Sequence, residues 1–530
     1  MRSEVPVRPP QRRRSQGTRV ARIASVVVAA LTLAGCGSTV ASSGVAGTAI
    51  SGSTGLNGTP GLELGSPSVP PGVAPGGVLA PSTGGAVTTT DGTPISGTST
   101  GGGSGTTATS TTPSLLPSTG QGYDRAKVYL GFPTNNDASA AAGSLGLAGL
   151  DFGDQIAMAN AIVKDLNDRG GLFGRTVVAL IHDIKTADLQ ADPQAQAQAT
   201  CSFFTQDHKV VAVVNIVAGI DLESFYTCLR KHTTPLFTAG FVPKDSAVLR
   251  DYTPYLYPLT SPNFDTFGPV WISRLLARDY FSGWNAANAT PAATPAKVGL
   301  LYADEVISKR IFAKIKADLV SRHIAIGAEF AYDASSLSAE GTAMSNAVLR
   351  FRSNGVTHVL AESPDVQVFM TAADSQSYRP RYGMSSFLAP QLQSGNTPNQ
   401  LVGSIGLGWI PTVDVARAQN PGPVSSGETA CRNLMKKAGV NLSSYGVELI
   451  AFPLCDGVHL LEAAAKTAAS FAANDLRDAL AKVGAGFPSA LVFRGGISSS
   501  STTLPGGGRD FAWKTTCKCY AYLDAVIHAW

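Results

Sequence analysis

Twice between Lys127 and Ser386 the chain runs through the same alternation, a short Val/Ile/Leu-rich run followed by apolar residues at helical spacing. In the first pass, 127–132, 177–183, 210–217 and 235–240 read as strands. Between them, Phe152, Ile156, Ala159, Ile162, Val163 and Leu166 mark one helix, and 194–204 and 222–231 read as two more. A second pass restarts at Lys297, with strands at 297–304, 324–332, 358–362 and 382–386. Ile307, Ile311, Ile315 and Leu319 lie four apart along a helix after the first of these. Strands apolar on both faces, separated by amphipathic helices, specify βαβ units and a parallel sheet. Two such series in about 400 residues exceed one core, so an α/β fold of two lobes is expected, with ligands bound beyond the carboxyl ends of the strands.

The chain before Tyr123 cannot join either core. Residues 37–122 are mostly Gly, Ser, Thr, Pro, Ala and Val with no aromatic residue, and such a segment cannot offset its ordering entropy. It is expected to be a disordered tether of roughly 50 Å r.m.s. reach. Its Leu116-Pro117-Ser118-Thr119-Gly120 resembles a sortase signal but is internal. Ahead of it, seven Arg and an apolar stretch from Ile23 to Ala34 form a signal peptide, 1–35, too short to span a bilayer. Leu33-Ala34-Gly35-Cys36 resembles the bacterial lipobox, which implies diacylation of Cys36 and anchoring at the outer face of the cell membrane. Arg13-Arg14-Ser15-Gln16 lacks the hydrophobic residue that follows a twin-arginine pair, which favours Sec export.

The net charge of +4 resides in the leader: residues 1–36 carry +6, 37–122 carry −2, and 123–530 are neutral. A neutral domain without a basic run offers no footprint for nucleic acid. Six cysteines follow Cys36, an even set in an exported chain, which argues for disulfides. Fifteen pairings are possible; proximity in sequence favours Cys201–Cys228 and Cys431–Cys455, leaving Cys517 and Cys519 to close a tight loop. As alternatives, this Cys-x-Cys is a redox or a metal pair, although no His neighbours it.

Asn167-Asp168-Arg169-Gly170-Gly171-Leu172-Phe173-Gly174-Arg175, followed by Asp183, resembles the Asn-x-x-Gly-Gly-x-x-Gly-Arg…Asp signature of type I periplasmic solute-binding proteins of the branched-chain amino acid and amide group. Asp192-Pro193, 210–219, 235–240, 297–304 and Leu454-Cys455-Asp456-Gly457-Val458, read as opening a helix, are similar in placement. The resemblance implies two Rossmann-like lobes joined by a hinge of three crossovers, 123–258 with 389–505 as one and 259–388 with 506–530 as the other. It also implies the Cys201–Cys228 disulfide and a small polar ligand between the lobes. Two loops depart from the pattern. Phe132-Pro133-Thr134-Asn135-Asn136 stands where Ser-Gly-Pro is usual, and Val217-Ala218-Gly219-Ile220-Asp221 where Gly-x-x-Ser/Thr is common.

Candidate ligand residues follow from strand ends. Thr134, Asn135 and Asn136 offer hydroxyl and amide groups, and would look the same as plain turn residues. Ala218, Gly219 and Ile220 are read as backbone donors at a helix start. Tyr302 and Asp304 end one strand of the second series, and Glu362 and Asp365 flank Pro364 at another, where an acid would pair with a ligand ammonium; Asp365 would serve equally as a helix cap. Trp409 and Phe387 are read as core rather than as pocket walls. No nucleophile elbow, His-Glu-x-x-His or Walker motif occurs, so no catalytic residue, cofactor or metal is expected. The expectation is a lipid-anchored receptor passing a small polar solute to an ABC-importer permease by hinge closure. The alternatives are a sensor or partner-binding lipoprotein of the same fold and, more remotely, a surface hydrolase.

Overall fold

The computed structural model describes residues 117–140, 151–333, 337–422 and 424–530. Cys36, the signal segment, the tether up to residue 116 and most of the Ala/Gly-rich loop to Gly149 lie outside the described residues.

Five parallel strands form the first sheet: β1 (Lys127–Thr134), β2 (Thr176–Asp183), β3 (Ala212–Asn215), β4 (Leu236–Thr238) and β5 (Leu256–Pro258), in the order β2-β1-β3-β4-β5. β6 (Trp284–Asn285) and β7 (Thr290–Pro291) form a separate short hairpin. The second sheet holds β8 (Lys297–Ala303), β9 (Ala325–Tyr332), β10 (His358–Ala361), β11 (Arg381–Ser385) and β12 (Ile405–Gly408), all parallel. Antiparallel β13 (Gly507–Lys514) extends it, pairing with β14 (Cys519–Tyr522) and β15 (His528–Ala529).

Helices cover both sheets, as parallel sheets require. In the first series these are α1 (Gln155–Asp168), α2 (Thr186–Ala191), α3 (Pro193–Ser202), α4 (Glu223–Lys231) and α5 (Ser246–Tyr252). α6 (Phe264–Ala277), α7 (Val306–Ser321), α8 (Leu337–Ser353) and α9 (Val366–Ser375) belong to the second. α10 (Pro390–Asn396), α11 (Pro411–Asp414), α12 (Ser426–Lys437), α13 (Tyr445–Ala465) and α14 (Ala473–Val483) follow. Asp154 caps α1, Asp192 with Pro193 opens α3, and Ser444 caps α13, each side chain accepting from a first-turn amide.

Three findings revise the expected boundaries. The folded part starts before Tyr123, because the Gln121 amide donates to His232 O (2.7 Å) and Thr234 Oγ1 (2.9 Å) and Arg175 reaches Pro117 O. β12 pairs with β11 and β13, so 405–408 belongs to the second sheet and not with the first series, since edge pairing rather than sequence order decides membership. The chain returns towards the first sheet only afterwards, where α13 packs on α1, β3 and β4, and Leu504 N donates to Pro258 O (2.8 Å). Cys455-Asp456-Gly457 opens no helix; it lies inside α13, and a Cβ on Gly457 would meet Val214 at 2.6 Å, so glycine lets the helix approach β3.

The glycine-rich signature also has a structural account. Gly171 sits at φ +70°, and a Cβ there would lie 1.9 Å from Arg175 O, so only glycine makes this turn. Asn167 pins the turn to β2 through both hydrogen bonds of Val177 (2.7 and 2.8 Å). Asp183 accepts from Thr134 Oγ1 (2.9 Å) and Asn136 N (2.9 Å) across the end of β1.

The sulfurs of Cys201 and Cys228, Cys431 and Cys455, and Cys517 and Cys519 lie at bonding distance, 2.08, 1.97 and 1.97 Å. Trp409 and Phe387 are fully buried in an aromatic cluster with Phe264, Phe267 and Trp530. Among the described residues no helix is long and apolar enough to cross a membrane.

Candidate functional site

The loops leaving β1, β3 and β4 converge on a cleft-like cavity of about 110 Å³. Asn135, Val217, Ala218, Gly219 and Phe241 supply this side, Pro364 and Ala389 come from the segments after β10 and β11, and Leu392 from α10. Tyr445, Leu449 and Ile450 of α13 close the flank. A cavity at the carboxyl ends of parallel strands, reached from both sheets, is where such sheets bind ligands.

Of the expected residues, Asn135, Ala218 and Gly219 are brought together here. Ala218–Ile220 forms one turn of 3-10 helix, and among the described residues the amides of Ala218 and Gly219 donate to no protein acceptor. Ile220 turns into the core, fully buried, its amide directed at Val217 O. Asn135 lines the wall, but its side chain is already engaged, donating to Ile184 O (2.7 Å) and to Thr186 Oγ1 (3.1 Å). Gln155 grips its backbone from both sides. Thr134 is fully buried on Asp183, and Asn136 accepts from Gln155 N (2.8 Å) at the start of α1. These two shape the loop rather than face the cavity.

The second set is dispersed. Tyr302 stacks on Phe312, and Asp304 is exposed beside Lys309. Asp365 accepts from Tyr332 Oη (3.0 Å), and its side chain makes no cap for α9. Glu362 is 2% exposed and neither carboxylate oxygen meets a hydrogen-bond donor of good geometry. Burial raises its pKa to about 8 against the pull of the Ser308 hydroxyl, and the charge of Glu305 adds to the rise. Burial likewise raises Glu340 to about 8 and Glu305 to about 7, each with a contribution from Asp365. Glu340 and Glu362 are therefore held mostly protonated at neutral pH, and Glu305 about half so.

Sequence reasoning missed Phe152, Ile216, Phe241, Val413 and the α13 face, which make the cavity predominantly apolar. It also missed what holds the Val217–Asp221 loop. Asp221, 1% exposed, accepts from Tyr226 Oη (2.6 Å), Thr238 Oγ1 (2.8 Å) and Lys244 Nζ (3.1 Å). Burial lowers the Lys244 pKa while Asp221 opposes it. A Cβ on Gly240 would strike Asp221 Oδ2 at 2.2 Å, so glycine there makes room for the pair. Among the described residues no group of His, Cys, Asp and Glu is arranged to hold a metal ion.

Two α/β sheets with a cavity at their strand ends are the fold of type I periplasmic solute-binding proteins. Solved structures with this arrangement include the fatty acid ABC transporter substrate-binding protein from Thermomonospora curvata, 14% identical with TM-score 0.52, covering 78% of this chain and 94% of that one. They also include a branched chain amino acid ABC transporter protein from Thermus thermophilus with bound valine (12%, TM-score 0.53, 76% and 96%). A third is a solute binding protein from Rhodopseudomonas palustris HaA2 in complex with p-hydroxybenzoic acid (11%, TM-score 0.53, 76% and 97%). No family model matches the chain. No curated protein matches it either.

Proposed function

We propose that this protein is an extracytoplasmic solute-binding receptor, without catalytic activity, that delivers its ligand to the permease of an ABC importer. The observation that carries this reading is the cavity with apolar walls and two backbone amides, at Ala218 and Gly219, that donate to no acceptor among the described residues. The ligand is a small amino-acid- or amide-like solute whose carboxylate or amide oxygen meets those amides and whose apolar body fills the remainder. Asn135 contacts it from the wall; Thr134 and Asn136 hold the loop; Glu362 and Asp365 position the Pro364 wall. The lobes open and close about the three chain passages between the sheets.

Thermal-shift screening of amino acids, amides and small carboxylates should raise the melting temperature for at least one class, because a ligand that binds only the native state must stabilise it. Ala239→Leu, which fills the cavity from the end of β4, should abolish that shift while leaving the unliganded protein folded. An unchanged shift in the variant would place the ligand elsewhere.

The anchor belongs to the same proposal. Cys36 tethers the domain to the outer membrane face, and Cys36→Ala should move the protein from the membrane fraction to the soluble one. Continued membrane retention would refute acylation. The engaged Asn135 side chain and the departing loop sequences favour, as a second reading, a sensor of the same fold; a neighbouring sensor-kinase gene rather than permease genes would select it.

A further inference from the structure

The three cysteine pairs differ in setting. Cys201, Cys431 and Cys455 are fully buried, and their pairs close separations of 27 and 24 residues. Cys517 and Cys519 sit at the tip of the β13–β14 hairpin, the first exposed and the second half-buried, two residues apart. A bridge over one intervening residue removes little entropy from the unfolded chain. The hairpin also closes this turn without it, since Lys514 pairs with Cys519 and Trp513 with Tyr520 in the ladder. Stability therefore gives little reason for the pair.

Its surroundings suit exchange chemistry. Lys514 and Lys518 flank the sulfurs, both exposed, and no acidic residue occurs from Phe511 to Leu523. Positive charge favours the thiolate form of the departing sulfur, and a better leaving thiolate is displaced faster.

We propose that Cys517–Cys519 is a thiol–disulfide exchange site for low-molecular-weight thiols, independent of solute binding. An incoming thiolate attacks Cys517 Sγ, a mixed disulfide forms, and the Cys519 sulfur leaves as a thiolate. A second thiolate then attacks the mixed disulfide at the incoming sulfur, releasing the oxidised thiol and the Cys517 thiolate. Two electrons pass from the two thiols to the pair, and water protonates both protein thiolates.

The test uses the full chain in glutathione buffers of graded reduced-to-oxidised composition, quenched by acid, alkylated and mapped by mass spectrometry. Cys517 and Cys519 should become alkylated at a reduced-to-oxidised ratio at least tenfold lower than the other four cysteines. Cys519→Ser should accumulate a glutathione adduct on Cys517. The double variant Cys517→Ser/Cys519→Ser should keep the melting temperature within a degree or two of the parent. Opening of all three pairs together, absence of the adduct, or a large fall in melting temperature of the double variant would each overturn the proposal.

Discussion

Asp221→Ala is expected to cost about 3–5 kcal/mol of stability, because it strands a fully buried Lys244 without its counter-charge. Against a total of about 5–15 kcal/mol for a domain, that approaches unfolding. The Thr238 hydroxyl loses its acceptor in the same step, and Tyr226 Oη keeps only the Asp221 backbone carbonyl (2.7 Å), so the Val217–Asp221 loop loses side-chain contacts at its end. Asp221→Asn should be milder, since an amide oxygen still accepts from a hydroxyl. Asp221→Ala with Lys244→Met should recover much of the loss, because replacing both charges by apolar groups removes the unpaired one. Urea midpoints of the two single variants and the double check the coupling. A loss below about 1 kcal/mol for Asp221→Ala would mean that the pair does not hold the loop.

Stability should fall as pH rises from about 5 to about 8. Glu362 and Glu340 are raised to about 8 and Glu305 to about 7, and the fully buried Asp414 and Asp456 to about 8 and 7, in each case chiefly by burial. Below the ordinary carboxyl range, every one of these groups is protonated in both folded and unfolded chains, and pH has no leverage. As pH rises through that range the unfolded chain releases protons that the folded chain still holds, so unfolding gains. Each differential proton is worth about 1.4 kcal/mol per pH unit, and the effect levels off above the folded values. Glu362→Gln carries no charge to desolvate. It should match the parent near pH 4, exceed its stability at pH 8, and show a shallower slope between. Equal slopes in chemical-denaturation series would remove Glu362 from the account.

Much of the architecture was legible because it is written in local periodicity. The alternation beginning at Lys127 and again at Lys297 places the eight expected strands within a few residues of their positions, and Phe152 to Leu166 marks the buried side of α1. The Asn167–Arg175 stretch was readable as a motif, but its meaning lay in the structure: it builds a turn and does not touch the cavity. Candidate ligand residues were harder to read. Thr134, Asn135 and Asn136 carry the groups a ligand would want, yet Asp183, Gln155 and Ile184 O use most of them. A sequence shows which polar groups exist and not which are already satisfied.

By itself, then, the sequence determined the α/β class, the two series of βα units and the composition break near residue 120, because each depends on neighbours within one or two turns of chain. Only the tertiary structure decided that β12 joins the second sheet and that Asp221 meets Lys244. Only it buried Glu340 and Glu362 and brought the charge of Glu305 close to Glu362. Pairing at a sheet edge, burial of a charge and the shape of a cavity are set by groups tens or hundreds of residues apart, and no local pattern carries them.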